Sequence, residues 1–419
     1  MASTGQHGDG GTGRVRPRDA DAFSIRSLTW TVYAPSGLLA FGQGILLPVL
    51  PIFAKDELGA SVAMVGIAVA ARELGTMAFD VPAGLLVSRF GSKPAMLIGT
   101  LLFAATAVGS ALSYNLGFLI VMRVIAGFGI AMWSISRQAY VAQAVPQRYR
   151  GRALSLFGGI GRIATVLGPL GGGLLGQHLG LTAPFYLQAG VGVATMTLVM
   201  ATFERSAPAR HATGRTAYAR VADTVVEYRR EFATAGLAAI SLQLLRSSRS
   251  LLIPLWGDSV GLELDGIAYV MTVSSAVDFV MFLPAGYVMD RWGRKWTGGP
   301  SLLILAAGLA LLPMTDGFTS MLAVGVLLGL GNGLSSGLVI TMGADIAPKD
   351  SPGEFLGVWR LITDSGGAAG PLAIGGIAQG LALGAACLAT AGIGVAGAAV
   401  MVLLVRETTE AAERHKKPG

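Results

Sequence analysis

Twelve long apolar runs follow one another along this chain, each close to the length that crosses a bilayer, and no other feature constrains the fold as tightly. They lie near residues 31 to 54, 61 to 87, 94 to 113, 117 to 142, 152 to 176 and 182 to 203, and then near 232 to 256, 265 to 289, 296 to 314, 318 to 345, 355 to 379 and 381 to 405. About 20 apolar residues in a helix span the hydrocarbon layer, where every backbone N–H and C=O must find its partner inside the chain. Only 13% of the 419 residues are charged, against about 25% in soluble domains, which is too few to build a water-facing surface. The expectation is an all-α membrane protein with twelve transmembrane helices.

The loops fix an expected orientation. Residues 1 to 26 are rich in Gly, Asp and Arg, lack an apolar core and read as a disordered cytosolic tail rather than a signal peptide. With that tail in the cytosol, 23 of the 31 Lys and Arg fall on cytosolic segments, whereas the outer loops hold Lys55 and six acids (Asp56, Glu57, Asp258, Glu263, Asp265, Asp316). The inside-positive rule therefore places both termini of this multi-pass chain in the cytosol, and the plasma (inner) membrane is its expected location. The net charge of +7 is topological, and nucleic acid is excluded as a partner because the bases are scattered over loops beside spans. Cys387, the single cysteine, reads as a packing residue.

The chain repeats itself at an offset of 202 residues. Pro82-Ala83-Gly84-Leu85-Leu86-Val87-Ser88-Arg89-Phe90-Gly91-Ser92-Lys93 aligns with Pro284-Ala285-Gly286-Tyr287-Val288-Met289-Asp290-Arg291-Trp292-Gly293-Arg294-Lys295. The same offset carries Gly168-Pro169 onto Gly370-Pro371, Gly127 and Gly129 onto Gly329 and Gly331, and Gly59 onto Gly261. Two pseudo-symmetric six-helix bundles with a pathway at their interface follow from such duplication. The expected division is an N-tail (1–30), an N-terminal bundle (31–203), a cytosolic linker (204–231), a C-terminal bundle (232–405) and a cytosolic C-tail (406–419). Residues Arg205 to Arg230 read as a basic, partly helical linker on the inner leaflet.

These segments resemble the major facilitator superfamily over nearly the whole chain, since both loops are similar to its Gly-x-x-x-Asp-Arg-x-Gly-Arg-Lys signature. The copy at Gly286, Asp290, Arg291, Gly293 and Arg294 is complete, whereas the copy at Gly84, Arg89 and Gly91 has Ser88 in place of the acid and Ser92 in place of a base. The resemblance implies a charge network on the cytosolic face that is weaker in the N-half. Gly42 followed by Pro48-Val49-Leu50-Pro51, the run Leu119-x-x-x-Arg123-x-x-x-Gly127-x-Gly129, and Gly161 with Gly168-Pro169-Leu170-Gly171-Gly172 are similar to signatures of twelve-helix drug/proton antiporters. On that resemblance Arg123 takes part in proton coupling, whereas its chemistry alone makes it a partner for an anion or carboxylate, and the protein exports small amphipathic molecules, drugs or metabolites, by proton-coupled antiport with rocker-switch alternating access.

The charges inside the spans say where the chemistry is. Arg72, Arg123, Arg162, Arg246 and Arg249, with Glu73, Asp278 and Asp364, fall deep in apolar runs, while Arg137, Asp80 and Arg360 lie toward the cytosolic ends. A lipid-facing arginine at mid-depth costs about 2.5–3.5 kcal/mol, so five would outweigh a domain's stability of about 5–15 kcal/mol. They must face the protein interior. Burial raises a carboxyl's proton affinity and a nearby arginine lowers it, so such acids can carry protons. Glu73 is the first candidate carrier, the alternative for it being a buried ion pair with another helix; Asp278 and Asp364 are the other candidates. The four histidines lie in tails, loops or a span end.

Arg72 and Glu73 are neighbours on one helix and point about 100° apart, so at most one is expected to face the pathway fully. Asp364 is the repeat-mate of Arg162, which makes them an expected pair across the pseudo-axis. Arg72, Arg162, Arg246 and Arg249 are the expected polar substrate contacts, and five arginines against three acids favour acidic or zwitterionic substrates. Phe128, Trp133, Phe279, Phe282 and Met281 are candidates for the apolar wall, or else for packing between helices. Pro169 should bend its helix, and two stripes, Gly168–Gly172–Gly176 and Gly325–Gly329–Gly333–Gly337, suit close crossings.

No Ser/His or metal-ligand constellation appears beside the spans, so neither an enzyme nor a metal site is expected. The expected partners are a small-molecule substrate, protons and the lipid bilayer, the expected state a monomer, and the proton gradient rather than a cofactor the source of energy. Two rivals stay open: uptake of a metabolite by a symporter or facilitator of the same fold, and a membrane sensor without turnover.

Overall fold

The computed structural model describes residues 28–145, 147–203, 224–348 and 352–407. The expected tails, apart from their inner ends, and most of the expected linker lie outside the described residues.

The described chain is nearly all helix. The N-half holds α1 (Ala34–Asp56), α2 (Val62–Phe90), α3 (Ser92–Ala111), α4 (Leu116–Ala144), α5 (Gln147–Leu179) and α6 (Ala183–Thr202). The C-half holds α7 (Leu237–Ser259), α8 (Leu264–Trp292), α9 (Lys295–Leu311), α10 (Phe318–Ile346), α11 (Pro352–Gly380) and α12 (Leu383–Leu403). Ser61 and Asn115 cap α2 and α4, their side-chain oxygens accepting from the N–H of Met64 and Phe118 and so satisfying donors that the first turn leaves free. Among the described residues, nine of these helices are long and apolar enough to cross a membrane on their own composition. The other three, α5, α7 and α11, carry Arg162, Arg246, Arg249, Arg360 and Asp364. They lose apolarity because they turn charge toward the interior.

The duplication read from the sequence is built into the packing. Lys93 donates to the carbonyl of Met200 at 3.0 Å, and its repeat-mate Lys295 donates to the carbonyl of Val402 at 2.8 Å. A Cβ placed on Gly127 would land on the carbonyl of Arg72, and one on Gly329 would land on that of Ser274, again one offset apart. With lipid tails as apolar as leucine, helices in a membrane associate through such close backbone approaches. Gly91 and Gly293, at φ of 85° and 104°, turn the chain from α2 into α3 and from α8 into α9, a conformation that L side chains rarely adopt.

One expected stripe is different. Gly325, Gly329 and Gly333 press against α8, but Gly337 has φ of 79° and interrupts α10 between Leu334 and Leu338. The helix therefore runs as two pieces, and the break has no counterpart in α4.

The seam between the halves runs along α2 with α11, α5 with α8, and α1 with α7. It is tight at the end bearing Asp56, Glu57, Asp258 and Glu263, hereafter the acidic face. There a Cβ on Gly66 would land on the carbonyl oxygen of Pro371, one on Gly375 would sit 2.9 Å from the Cα of Ala63, and one on Gly173 would strike the Cβ of Ala268. At the opposite end, the basic face with Arg89, Lys93, Arg291, Arg294 and Lys295, the repeat-mates Gly84 and Gly286 have nothing within 4 Å of such a Cβ among the described residues. Among the described residues, the close backbone contacts between the halves gather at the acidic face.

Candidate functional site

Two latches hold the acidic face. The ammonium of Lys55, at the end of α1, pairs with the carboxylate of Asp258, at the end of α7. Gln177 of α5 donates to Glu263 at 3.1 Å and accepts from the N–H of Leu264 at 3.1 Å. Both latches join the N-half to the C-half. Of the stripe Gly168–Gly172–Gly176 on α5, the first two let that helix lie on α1, a Cβ on Gly168 coming 2.6 Å from the Cα of Gly44 and one on Gly172 meeting the carbonyl of Ile45, whereas a Cβ on Gly176 would come 2.6 Å from Leu264 of α8. Pro48 and Pro51 sit inside α1 and Pro169 inside α5, along the same contact.

Below the latches the seam encloses a cavity of about 60 Å³. Arg72, Glu73, Arg123 and Gln43 line it from the N-half, Ser247 and Ser250 from α7, and Gly367 and Pro371 from α11. Gln43, Arg72 and Arg123 also line a second, smaller void within the N-half. Arg72 donates to the Oε1 of Gln43 at 3.2 Å and pairs with the carboxylate of Glu73. The expectation that only one of Arg72 and Glu73 faces the pathway is thus corrected. Their Cα–Cβ bonds diverge, but both side chains are long enough to fold back into the same cavity.

A second charged cluster ties the two halves together. Asp278 of α8 accepts from Arg162 of α5 at 2.9 Å, from Asn332 at 2.8 Å and from Ser336 at 3.3 Å. The Arg162 guanidinium also lies over the ring of Phe282, 4.6 Å from its centroid. The expected pairing of Arg162 with Asp364 is therefore not formed: Asp364 accepts instead from Arg360, one helical turn earlier on α11, at 3.3 Å. That arginine also reaches across the seam to Asp80 of α2 at 3.9 Å. Arg246 donates to Gln243 and to the carbonyl and hydroxyl of Ser335, which the break in α10 presents, and Arg249 donates to Ser274 at 3.1 Å. All five deep arginines thus turn toward protein.

The apolar candidates divide. Trp133 is only 4% exposed and packs with Leu39, Met96 and Phe103 inside the N-half, so it belongs to that half's core rather than to the pathway wall. Phe128 packs against Phe79 with the rings tilted at 46°, centroids 4.9 Å apart. Phe279 is half-buried on α8 beside Asp278, and the Cβ of Met281 lies close against Gly333.

On the basic face the two loops differ as their sequences do. Arg294 is 2.8 Å from Asp345 of α10 and 3.8 Å from Asp290, and the carboxylate of Glu407 accepts from the N–H groups of Arg294 and Lys295. Arg291 donates to the hydroxyl of Tyr287. In the N-half, among the described residues, Ser88 donates back to Leu85, at 2.8 Å, and Arg89 lies over Phe90.

Several residues of the site carry no charge. Gln43, Asn332, Ser335 and Ser336 hold the arginines and Asp278 in place, and the signal for them was an amide or hydroxyl within an otherwise apolar run. Partners 116 residues apart, as Arg162 and Asp278 are, leave no trace in local spacing.

Comparison with known proteins agrees with this architecture. The sequence profile of the Major Facilitator Superfamily matches residues 36–245 and again 235–419, one match for each half. The multidrug resistance protein MdtH of Klebsiella pneumoniae is 25% identical over 339 residues, 80% of this chain and 82% of its own length, and that of Cronobacter sakazakii is 26% identical over the same shares. Among solved structures, a bacterial homologue of the human lysosomal transporter Spinster, inward-facing and unoccupied, superposes with a TM-score of 0.74 at 15% identity, covering 92% of this chain and 97% of that one. A variant of the nucleoside transporter NupG does so with 0.75 at 14% identity, covering 91% and 100%. With its two matched halves, its twelve helices and the charged seam between them, the chain belongs to the Major Facilitator Superfamily and is an integral membrane transporter rather than an enzyme.

Proposed function

We propose that this protein exports small amphipathic molecules in exchange for protons, by alternating exposure of the seam cavity to the two sides of the membrane. The observation that carries the reading is the Arg162–Asp278 pair, because it joins a carboxylate of one half to an arginine of the other at the depth of the charged seam. A proton delivered to Asp278 removes the charge that Arg162 holds, and the bridge loosens; loss of the proton restores it. Glu73, held by Arg72 beside Arg123, and Asp364, held by Arg360, are the further carboxylates through which protons can be relayed. Each charge moved through 100 mV supplies about 2.3 kcal/mol, enough for roughly fiftyfold accumulation.

The face bearing Arg89, Lys93, Arg291, Arg294 and Lys295 is the cytosolic one by the inside-positive rule, with both termini on that side. With its close backbone contacts gathered at the acidic face, this state reads as the one open to the cytosol. Arg72, Arg162, Arg246 and Arg249 with Phe279 are the residues we assign to meet substrate from that side. The name borne by the MdtH relatives supports efflux as the direction.

The test is purified protein in liposomes with an imposed pH gradient and a panel of anionic, zwitterionic and cationic compounds followed in both directions. Compound moving against the proton flux, with coupling lost in Asp278→Asn, supports the reading. Compound moving with the protons makes the protein an uptake symporter, and no movement of any compound in either direction removes transport by this seam.

A further inference from the structure

Arg123 stands apart from the other arginines of the seam. Arg72 is paired with Glu73, Arg162 with Asp278, and Arg360 with Asp364 and Asp80, while Arg246 and Arg249 donate to Ser335 and Ser274. Arg123 is 7% exposed, its Nε has no hydrogen-bond partner, and it forms no ion pair among the described residues. It lines both the seam cavity and the void behind it. The nearest charges act on it in opposite senses: Glu73 attracts it and Arg72 repels it.

A guanidinium keeps its proton at any pH a protein meets, so this charge cannot be discarded, and a buried charge without a counter-charge is costly. Arg72, Glu73 and Arg123 together carry one net positive charge, which a single anionic group entering the cavity would neutralise. The guanidinium fork matches a carboxylate in plane and spacing. On the walls around it, Leu46, Leu47, Leu50 and Val69 offer apolar surface, and Ser247 and Ser250 line the opposite wall from the other half.

We propose that Arg123 is the anchor for a carboxylate borne on an apolar body, and that the transported substrates include such organic acids. The assignment rests on the transporter reading above and adds the substrate class to it. Because the cavity joins both halves, a bound carboxylate would bring the N-half charge cluster and the α7 wall onto one molecule.

The test uses purified full-length protein and three probes: 1-naphthoate, its neutral isostere 1-naphthamide, and chloride alone. Binding is followed by calorimetry and by the shift in melting temperature. Naphthoate is expected to bind at least tenfold more tightly than naphthamide. Arg123→Gln should remove that difference, Arg123→Lys should retain part of it, and Arg406→Gln, exposed at the end of the described chain, should leave it intact. The lysine variant keeps the test open should the glutamine variant fail to fold. Equal binding of the two naphthyl probes, unchanged naphthoate affinity in Arg123→Gln, or chloride binding that naphthoate does not displace would each overturn the assignment. Proton-driven transport of other compounds, with naphthoate indifferent to Arg123, would remove this assignment while leaving the transporter reading in place. Naphthoate bound at Arg123 without transport of any compound would overturn the transporter reading and, with it, the substrate class assigned here.

Discussion

Gly66→Ala should open the acidic face. A methyl group there lands on the carbonyl oxygen of Pro371, with Gly375 Cα and the Pro371 carbonyl carbon each 3.2 Å away. The obstacle is backbone rather than a side chain that can swing aside, so α2 and α11 must part by about 1 Å to regain an ordinary C···O contact of about 3.3 Å. Overpacking of this kind costs about 1–3 kcal/mol. The cost falls only on the state closed at this face, so the equilibrium should move by roughly 5-fold to 150-fold toward the state that opens it. The reporter is Leu50→Cys in a Cys387→Ser background, since Leu50 is 3% exposed and lines the seam cavity beside Pro371. Its labelling by a membrane-impermeant maleimide supplied only on the acidic-face side of sealed liposomes should be slow, and at least fivefold faster once Gly66→Ala is added. Unchanged or slower labelling in a protein that still elutes as a folded species would refute the reasoning.

Gly127→Ala and Gly329→Ala should each lower stability by about 1–3 kcal/mol, because both put a Cβ on backbone, whereas Gly84→Ala and Gly286→Ala should stay within about 0.5 kcal/mol; melting temperatures in detergent decide it. Asp278→Asn should cost about 1.5–3 kcal/mol through the weakened bond to Arg162, and the double variant with Arg162→Gln should lose less than the sum of the two single variants, read as a double-mutant cycle. Lys55→Ala removes a latch whose lysine is 42% exposed, so its effect on stability should stay below about 1 kcal/mol and shrink further in high salt. Gly337→Ala forces a left-handed conformation on an L residue, which should cost about 1–2 kcal/mol and weaken the hold of Arg246 on Ser335.

What could be read from the sequence was whatever depends on composition along one helix or on repetition. The Pro-Ala-Gly block and its copy announced two halves, and the cost of arginine in lipid required the deep charges to turn inward, as they do. Partner choice was not legible. Helical geometry separates Arg72 from Glu73 by about 100°, yet long side chains cancel that angle, and the repeat made Asp364 the expected mate of Arg162 although Asp278 is the residue that the α5–α8 crossing brings to it. Gly337 belonged to a spacing pattern that suits helix packing and instead ends a helix, because glycine serves both purposes and only the backbone angle distinguishes them. Trp133 shows the same ambiguity for apolar side chains: its position on α4 permitted either face, and the N-half core took it.

The central claim is that solute passes through the seam only if the two halves part at the acidic face. A reversible methanethiosulfonate cross-linker joining Lys55→Cys to Asp258→Cys, whose native side chains meet across the seam, tests it directly in liposomes with the Cys387→Ser background. Transport of any panel compound that the uncross-linked protein moves should cease on cross-linking and return on reduction. Undiminished transport through a protein fixed shut at that face would contradict the account.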